Sequence, residues 1–260
     1  MVAALEREVS ALIGRSKRVG REYGGRSFVF FERDEMVVVC GGIGAQAARR
    51  AAEAVIALYS PALVCSVGFA GALDASLRVG DLFMPTVVID ARDGSRVEID
   101  GREGQGQAAL VTFMAVAGTQ QKASLAQAYG ARAVDMEAAA VAAAARSHAI
   151  PFAATKVISD EWNFEMPGSI SLAMGRFIDA QGHFKTANFA AFIALRPWLW
   201  GRVATLASNS RRAARVLGEH LAFFQHEPSR TSGRILATHA VEQPAPAAGA
   251  TSGLSARGRE

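Results

Sequence analysis

The stretch Ala133-Val134-Asp135-Met136-Glu137-Ala138-Ala139-Ala140-Val141-Ala142 constrains the fold of this chain more than any other. Alanine is the best helix former, so the alanine-rich run through Arg146 is predicted to be helical. The apolar residues before it read as a strand end, and Asp135 and Glu137 then fall at or just before the positive end of the helix dipole. A second strand, Phe152-Ala153-Ala154-Thr155-Lys156-Val157-Ile158-Ser159-Asp160-Glu161, also finishes in polar residues. Strands that deliver acids to the carboxyl rim of a parallel sheet mark ligand sites in α/β proteins, so the two ends are read as one site. Each stretch alone has a plainer reading, as acids capping helices on a solvated surface.

At 260 residues, half of them hydrophobic, the chain can bury a full core, and one large domain over residues 1–227 is expected. Its formal charge is +4, but the arginines are scattered, as in Arg49-Arg50, Arg132, Arg146 and Arg211-Arg212. A basic stripe with interleaved aromatics is missing, so no nucleic-acid partner is expected. Cys40 and Cys65 sit in apolar runs and read as reduced core thiols in neighbouring strands. No secretory leader is evident, and Arg196, Pro197 and Arg202 interrupt the last apolar stretch, so no spanning helix is expected and a cytoplasmic location is the default. The five histidines are dispersed without ligand spacing, so no metal is expected. Patterns for an activated serine or a phosphate loop are also missing.

In chain order, Met1 to Leu5 reads as the tail of a strand, with a helix starting near Glu6. A complete first strand would need more apolar residues, so either it is short or the true start lies upstream. Arg26 to Phe31 and Met36 to Cys40 form a hairpin signature around the charged turn Glu32-Arg33-Asp34-Glu35. Gly42, Gly44 and Ala47 match a dinucleotide pattern, but the next strand, Ala62 to Val67, ends in Gly68-Phe69-Ala70-Gly71 instead of the acid a ribose needs. Tight packing of the helix Ala48 to Leu58 explains the first glycines better, and no dinucleotide cofactor is expected. The second glycine group is read as a turn whose backbone N–H groups form a nest for an anion or polarised water. Strands are predicted at Leu82 to Ile89 and Leu110 to Ala117, a loop or frayed hairpin at Arg92 to Gln107, and a helix at Lys122 to Tyr129. From Ser171 aromatic residues recur at helical spacing, and after about Glu227 the composition predicts a disordered tail, residues 228–260. Strands alternating with helices imply a three-layer α/β fold with a largely parallel sheet.

Three acids fall at rim positions: Glu8, Glu137 and Asp160. Cleaving an N-glycosidic bond needs such a set, because positive charge grows on the sugar and negative charge on the departing base. One acid protonates the base, one carboxylate activates water on the opposite face, and a third clamps the sugar hydroxyls. On spacing alone this is one of several acid arrangements.

The motifs Ala4-Leu5-Glu6-Arg7-Glu8-Val9, Gly42-Ile43-Gly44, Gly68-Phe69-Ala70-Gly71, Arg78-Val79-Gly80-Asp81, Val134-Asp135-Met136-Glu137-Ala138 and Val157-Ile158-Ser159-Asp160 occur in the order in which they resemble the purine nucleoside phosphorylase/nucleosidase superfamily. Over roughly residues 1 to 165 the chain most resembles the methylthioadenosine/S-adenosylhomocysteine nucleosidases. The resemblance implies a three-layer αβα fold with a mixed, largely parallel sheet, and hydrolytic release of an adenine-type base. It implies Glu8 as the base that activates water and Asp160 as the acid at purine N7, oriented by Ser159. Met136 would pack on the sugar, Glu137 would bind its hydroxyls, and Gly68, Phe69 and Ala70 would line the nucleophile pocket. That reading asks burial to keep a proton on Asp160 near neutrality.

The chain departs from that branch at two pocket positions. Phe69 stands where a serine is usual and Lys156 where an arginine is usual, which exchanges a bidentate fork for a point charge. Phosphorolysis, with phosphate as co-substrate, is therefore the rival to hydrolysis. The segment before Ala133 is shorter, which bears on the base pocket. The C-terminal part, residues 170–227, with Asp179-Ala180-Gln181-Gly182 and Arg196-Pro197-Trp198-Leu199-Trp200, is similar in style to hopanoid-associated phosphorylase-like proteins that act on an adenosyl-lipid. Tryptophans beside arginines suit peripheral membrane contact or a greasy ligand tail, and also plain helix packing. The resemblance implies a homodimer. A non-catalytic nucleoside-binding protein is the rival from outside the enzymes.

Overall fold

Period-two burial is the physical signature of the sheet. Val2, Phe30, Val39 and Val64 belong to one buried apolar layer, while their chain neighbours Ala3, Phe31, Val38 and Cys65 belong to another. Successive side chains of a strand point to opposite faces, so these strands carry a core on each side. The computed structural model describes residues 1–99, 108–165, 170, 173, 176–179 and 183–226. Met1–Gln225 cluster as one unit and His226–Glu260 as another. The expectation of a disordered tail falls on residues outside those described.

The order of elements is β1 (Val2–Ala3), α1 (Ser10–Ile13), β2 (Lys17–Tyr23), β3 (Arg26–Arg33), β4 (Met36–Cys40), α2 (Ala45–Tyr59), β5 (Val64–Ala72), β6 (Leu82–Phe83), β7 (Val87–Asp90), β8 (Arg96–Glu98), β9 (Ala109–Thr112), α3 (Thr119–Tyr129), β10 (Ala131–Asp135), α4 (Ala138–Ser147), β11 (Phe152–Asp160), α5 (Thr186–Ala194), a single 3₁₀ turn (Pro197–Leu199) and α6 (Trp200–His226). The sheet runs β2-β3-β4-β1-β5-β10-β9-β7-β8, with β11 on β5 and β6. Pairing is parallel for β4-β1-β5, β5-β11 and β10-β9-β7. It is antiparallel at the margins and where β10 meets β5. This is the three-layer fold with a mixed, largely parallel sheet that the sequence predicts.

Alanines explain how the layers close. Helices α2 and α4 pack on each other and on the sheet through Ala48, Ala51, Ala52, Ala140, Ala142, Ala144 and Ala145, all buried. Side chains this small let helix backbones approach closely, and extra methylenes there would overpack the layer. Gly41 continues the pattern, since a Cβ on it would lie 2.5 Å from that of Ala51. Packing thus accounts for Gly41 and for buried Ala47, whereas Gly42 and Gly44 are glycines because their φ angles are 100° and 95°. On the other face, Leu12 of α1 and Ala213, Leu217 and Leu221 of α6 cover Val38, Val67 and Val157.

Several expected boundaries are corrected. No turn occurs at Gly68-Phe69-Ala70-Gly71. The four residues continue β5, held in register by β11 pairs from Lys156↔Gly68 to Ile158↔Ala70. The strand expected over Leu82 to Ile89 is two strands, because Pro85 between them cannot donate to a ladder. The strand expected to reach Ala117 stops at Thr112, and the helix expected from Glu6 begins only at Ser10. Cys40 on β4 and Cys65 on β5 are separated by β1 instead of lying on neighbouring strands. In the segment expected as a loop or frayed hairpin, Arg96–Glu98 pairs antiparallel with β7, as a hairpin does, and residues 100–107 lie outside those described.

Candidate active site

Strand β5 passes through the middle of the site, and two of its residues have no side chain for a reason. Gly68 has φ +146°, which disfavours an L side chain, and a Cβ there would lie 2.7 Å from Glu8 Oε2. A Cβ on Gly71 would lie 2.8 Å from Asp160 Oδ2. The two outermost acids of the expected set therefore rest against one strand at two bare positions. Glu8 reaches it from the turn after β1, where its N–H donates to the Leu5 carbonyl at 3.0 Å. Burial raises the Glu8 carboxyl to about 7, with Lys156 and Arg7 pulling the other way.

The stretch after β10 supplies the third acid. Gly44 N–H donates to Glu137 Oε1 at 2.8 Å, which joins the glycine turn before α2 to the start of α4. Burial, then the neighbouring Asp135 and Glu8, raises Glu137 to about 8. Asp135 is different in kind. It takes an ion pair from Lys156 Nζ at 2.9 Å and hydrogen bonds from Thr112 Oγ1 at 2.6 Å and Ala138 N–H at 2.9 Å. Lys156 also donates to Ser66 Oγ at 3.0 Å. Burial alone would lower the Lys156 ammonium, but Asp135, Glu137 and Glu8 outweigh it and hold the group above its ordinary value. One buried ammonium thus faces three carboxylates, and the nearest already neutralises it.

Asp160 ends β11. The Ser159 hydroxyl lies 2.8 Å from Asp160 Oδ1 and 3.4 Å from the Ala70 carbonyl, so it donates to the nearer carboxyl. Lys122 of α3, itself 2% exposed, contacts Asp160 Oδ2 and donates to the Glu161 carbonyl at 2.7 Å. The Asp160 side chain keeps 20% of its exposure. The enclosure that the sequence reading assigns to Asp160 is instead found around Glu8, while Glu137 and Asp160 are both half-buried and Asp160 has a lysine partner. The chain beyond it is fastened to the same helix, for Thr119 N–H donates to Glu165 Oε2 at 2.8 Å.

The structure therefore gathers Glu8, Gly68, Glu137, Lys156, Ser159 and Asp160 around β5, and Met136 lies in the chain between Asp135 and Glu137. The Ala70 side chain is buried in the α2/α4 layer, and its carbonyl is the group near Ser159. The ring of Phe69 packs against the apolar layer under α1 and α6, on the face shared with Val67 and Val157. Lys122, Gly44, Ser66 and Thr112 were not among the expected site residues, and Asp135, flagged at the strand end, was given no role. Lys122 did leave a trace: it is the one charged residue of α3 and falls three positions before buried Leu125, on the inward face. Among the described residues no cluster of His, Cys, Asp and Glu could hold a metal ion, and no helix is long and apolar enough to cross a membrane.

Glu8 and Asp160 thus rest against β5, and Glu137 stands at the start of α4. The family model of the phosphorylase superfamily matches residues 1–115 and 109–181, and the chain belongs to that superfamily. Among solved structures it is similar to the 5′-methylthioadenosine/S-adenosylhomocysteine nucleosidase of Colwellia psychrerythraea in complex with adenine, at 24% identity and TM-score 0.53 over 62% of this chain and 82% of that one. It is also similar to the S-adenosylhomocysteine nucleosidase of Streptococcus pyogenes, at 17% identity and TM-score 0.59 over 88% and 96%. The futalosine hydrolase of Helicobacter pylori matches at 17% identity and TM-score 0.57 over 85% and 96%. No curated protein is matched by this sequence. The protein is an enzyme of the nucleoside-cleaving kind, acting on N-glycosidic bonds.

Proposed function

We propose that the protein hydrolyses the N-glycosidic bond of an adenine-type purine nucleoside. Glu8 accepts a proton from water as the water oxygen bonds to C1′ of the sugar. The C1′–N9 electron pair leaves with the purine, and Asp160 gives N7 a proton. Glu137, held by Gly44, binds the sugar hydroxyls and favours the cationic sugar, and Met136 packs on its face. Ser159 and Lys122 orient the acid.

The observation that carries this reading is the arrangement of Glu8 and Asp160 against the two bare positions of β5. Charge favours water over phosphate. Lys156 is matched by Asp135, and its other chargeable neighbours are Glu8 and Glu137, raised to about 7 and about 8. Among the described residues a phosphate dianion there would meet no unmatched cation, whereas water is neutral.

The test is adenine release from methylthioadenosine, S-adenosylhomocysteine and adenosine, with and without phosphate. Release without phosphate is expected, and D160N is expected to slow it by about 10²- to 10⁴-fold, the usual range for a lost general acid. Release only with phosphate would make the enzyme a phosphorylase, and wild-type-like turnover by D160N would sink the assignment. A second reading, an adenosyl-lipid substrate, draws on Leu195, Trp198 and Trp200, which are 77%, 71% and 55% exposed. Faster turnover of a lipid-linked adenosine in vesicles than of free adenosine would favour it. Tight adenine binding without turnover would favour a non-catalytic binder.

A further inference from the structure

A cleft of about 770 Å³ opens beside the site, and neither Glu8, Glu137 nor Asp160 lines it. Its inner end is formed by Ala4, Leu5, Gly41 and Ala47. Those residues adjoin the catalytic ones through the backbone: Gly42 N–H donates to the Ala4 carbonyl at 3.0 Å, and Gly44 two residues on holds Glu137. A ligand whose sugar sits on Glu137 therefore has this cleft next to it.

The rest of the cleft has an excess of positive charge, with Glu6 its one acid. Four arginines line it, at positions 7, 18, 26 and 50. Two of them are engaged: Arg18 pairs with Glu6 at 3.5 Å, and Arg7 lies over the Phe184 ring at 5.3 Å. Arg26 and Arg50 are both partly buried, and among the described residues neither has an ion pair or a hydrogen-bond acceptor. Burial, and then the charge of Arg26, pulls the Arg50 guanidinium below its ordinary value. Two like charges facing one cleft, unneutralised, are destabilising until an anion enters.

We propose that Arg26 and Arg50 receive a negatively charged substituent carried on the sugar of the nucleoside, such as a phosphoester. This rests on Glu137 being the sugar clamp. The arrangement separates charge by region. Negative groups of the substrate find Lys156 already neutralised by Asp135 and are attracted to the arginine cleft, so the charged arm orients the sugar before the bond breaks. A guanidinium presents a planar fork that suits phosphate oxygens, and two of them suit a dianion.

The experiment compares kcat/KM for adenosine, adenosine 5′-monophosphate and 5′-amino-5′-deoxyadenosine in the wild type, R26Q/R50Q and R50E. The wild type is expected to prefer the phosphoester over adenosine by about tenfold or more, the scale of one charge-assisted contact. That ratio is expected to collapse towards unity in R26Q/R50Q, and in R50E the order is expected to turn towards the amine. Adenosine outrunning the phosphoester in the wild type, or a ratio indifferent to both variants, would overturn the proposal. Inorganic phosphate is expected to compete with the phosphoester without speeding adenosine cleavage. Acceleration instead would assign the arginines to a co-substrate and overturn the arm reading. If no nucleoside is cleaved by any form, the hydrolase reading fails by itself. The arginine site is then read by calorimetry: tighter binding of the phosphoester than of adenosine, lost in R50E, supports it, and equal binding sinks it.

Discussion

At Glu8 the same burial that raises the carboxyl to about 7 makes it a usable base near neutrality, since it binds a proton readily yet ionises in the working range. Turnover should therefore rise with pH through about 7 as Glu8 becomes the carboxylate, and E8Q should lose this limb together with about 10²-fold or more of kcat/KM. A pH–rate profile of both proteins checks this, and an ascending limb kept in E8Q would assign it elsewhere. Lys122 is the other residue whose role is specific. A neutral K122M removes the ammonium that holds Asp160 Oδ2 in place, so the acid loses its orientation and kcat should fall on the order of tenfold with KM little changed. K122R should restore part of the loss. A fall in thermal stability alone, with kcat intact, would reduce Lys122 to a packing residue.

At the level of elements, β5 gives the sharpest contrast. G68A puts a methyl group into the Glu8 carboxylate and strains a φ of +146°, so it should be both less stable and inactive. G71A meets Asp160 first, a side chain that can rotate away, so its fold should survive while its turnover falls. Thermal melts beside initial rates separate the two. Here lies much of what could be read in advance and what could not. Strand ends in acids and an alanine helix are local patterns, so β10, α4 and β11, with Glu137 and Asp160 on them, were legible. Glycine favours turns in most contexts, so the continuation of β5 through Gly68 and Gly71 was hidden by the feature that gives the site its room. Strand β2 was missed because its exposed sequence, Lys17 to Tyr23, has no apolar face to betray it. The Lys156–Asp135 and Lys122–Asp160 pairs join residues 21 and 38 positions apart, and only the topology of the sheet brings them together.

For the whole molecule, the raised carboxyls link function to stability. Glu8 and Glu137 hold protons in the folded state, to about 7 and about 8, that an unfolded chain with ordinary carboxyls near 4.5 has already released. The folded state then binds more protons between those limits, so stability should decline as pH rises from about 4.5 to about 8 and level off above. E8Q should flatten part of that slope and melt higher than the wild type on the alkaline side, while being inactive. Melting temperatures across that range decide it; an unchanged slope in E8Q would mean that other groups carry it. The site is thus held at some cost to the fold, as expected where strained or desolvated groups serve chemistry.

The two bare positions of β5 also divide the acids between the faces of the strand. Gly68 and Gly71 are three residues apart, an odd step along a strand of period two, so Glu8 and Asp160 rest on β5 from opposite sides. The strand thus uncouples the two acids mechanically: a change of packing on one face reaches one carboxyl and leaves the other in place.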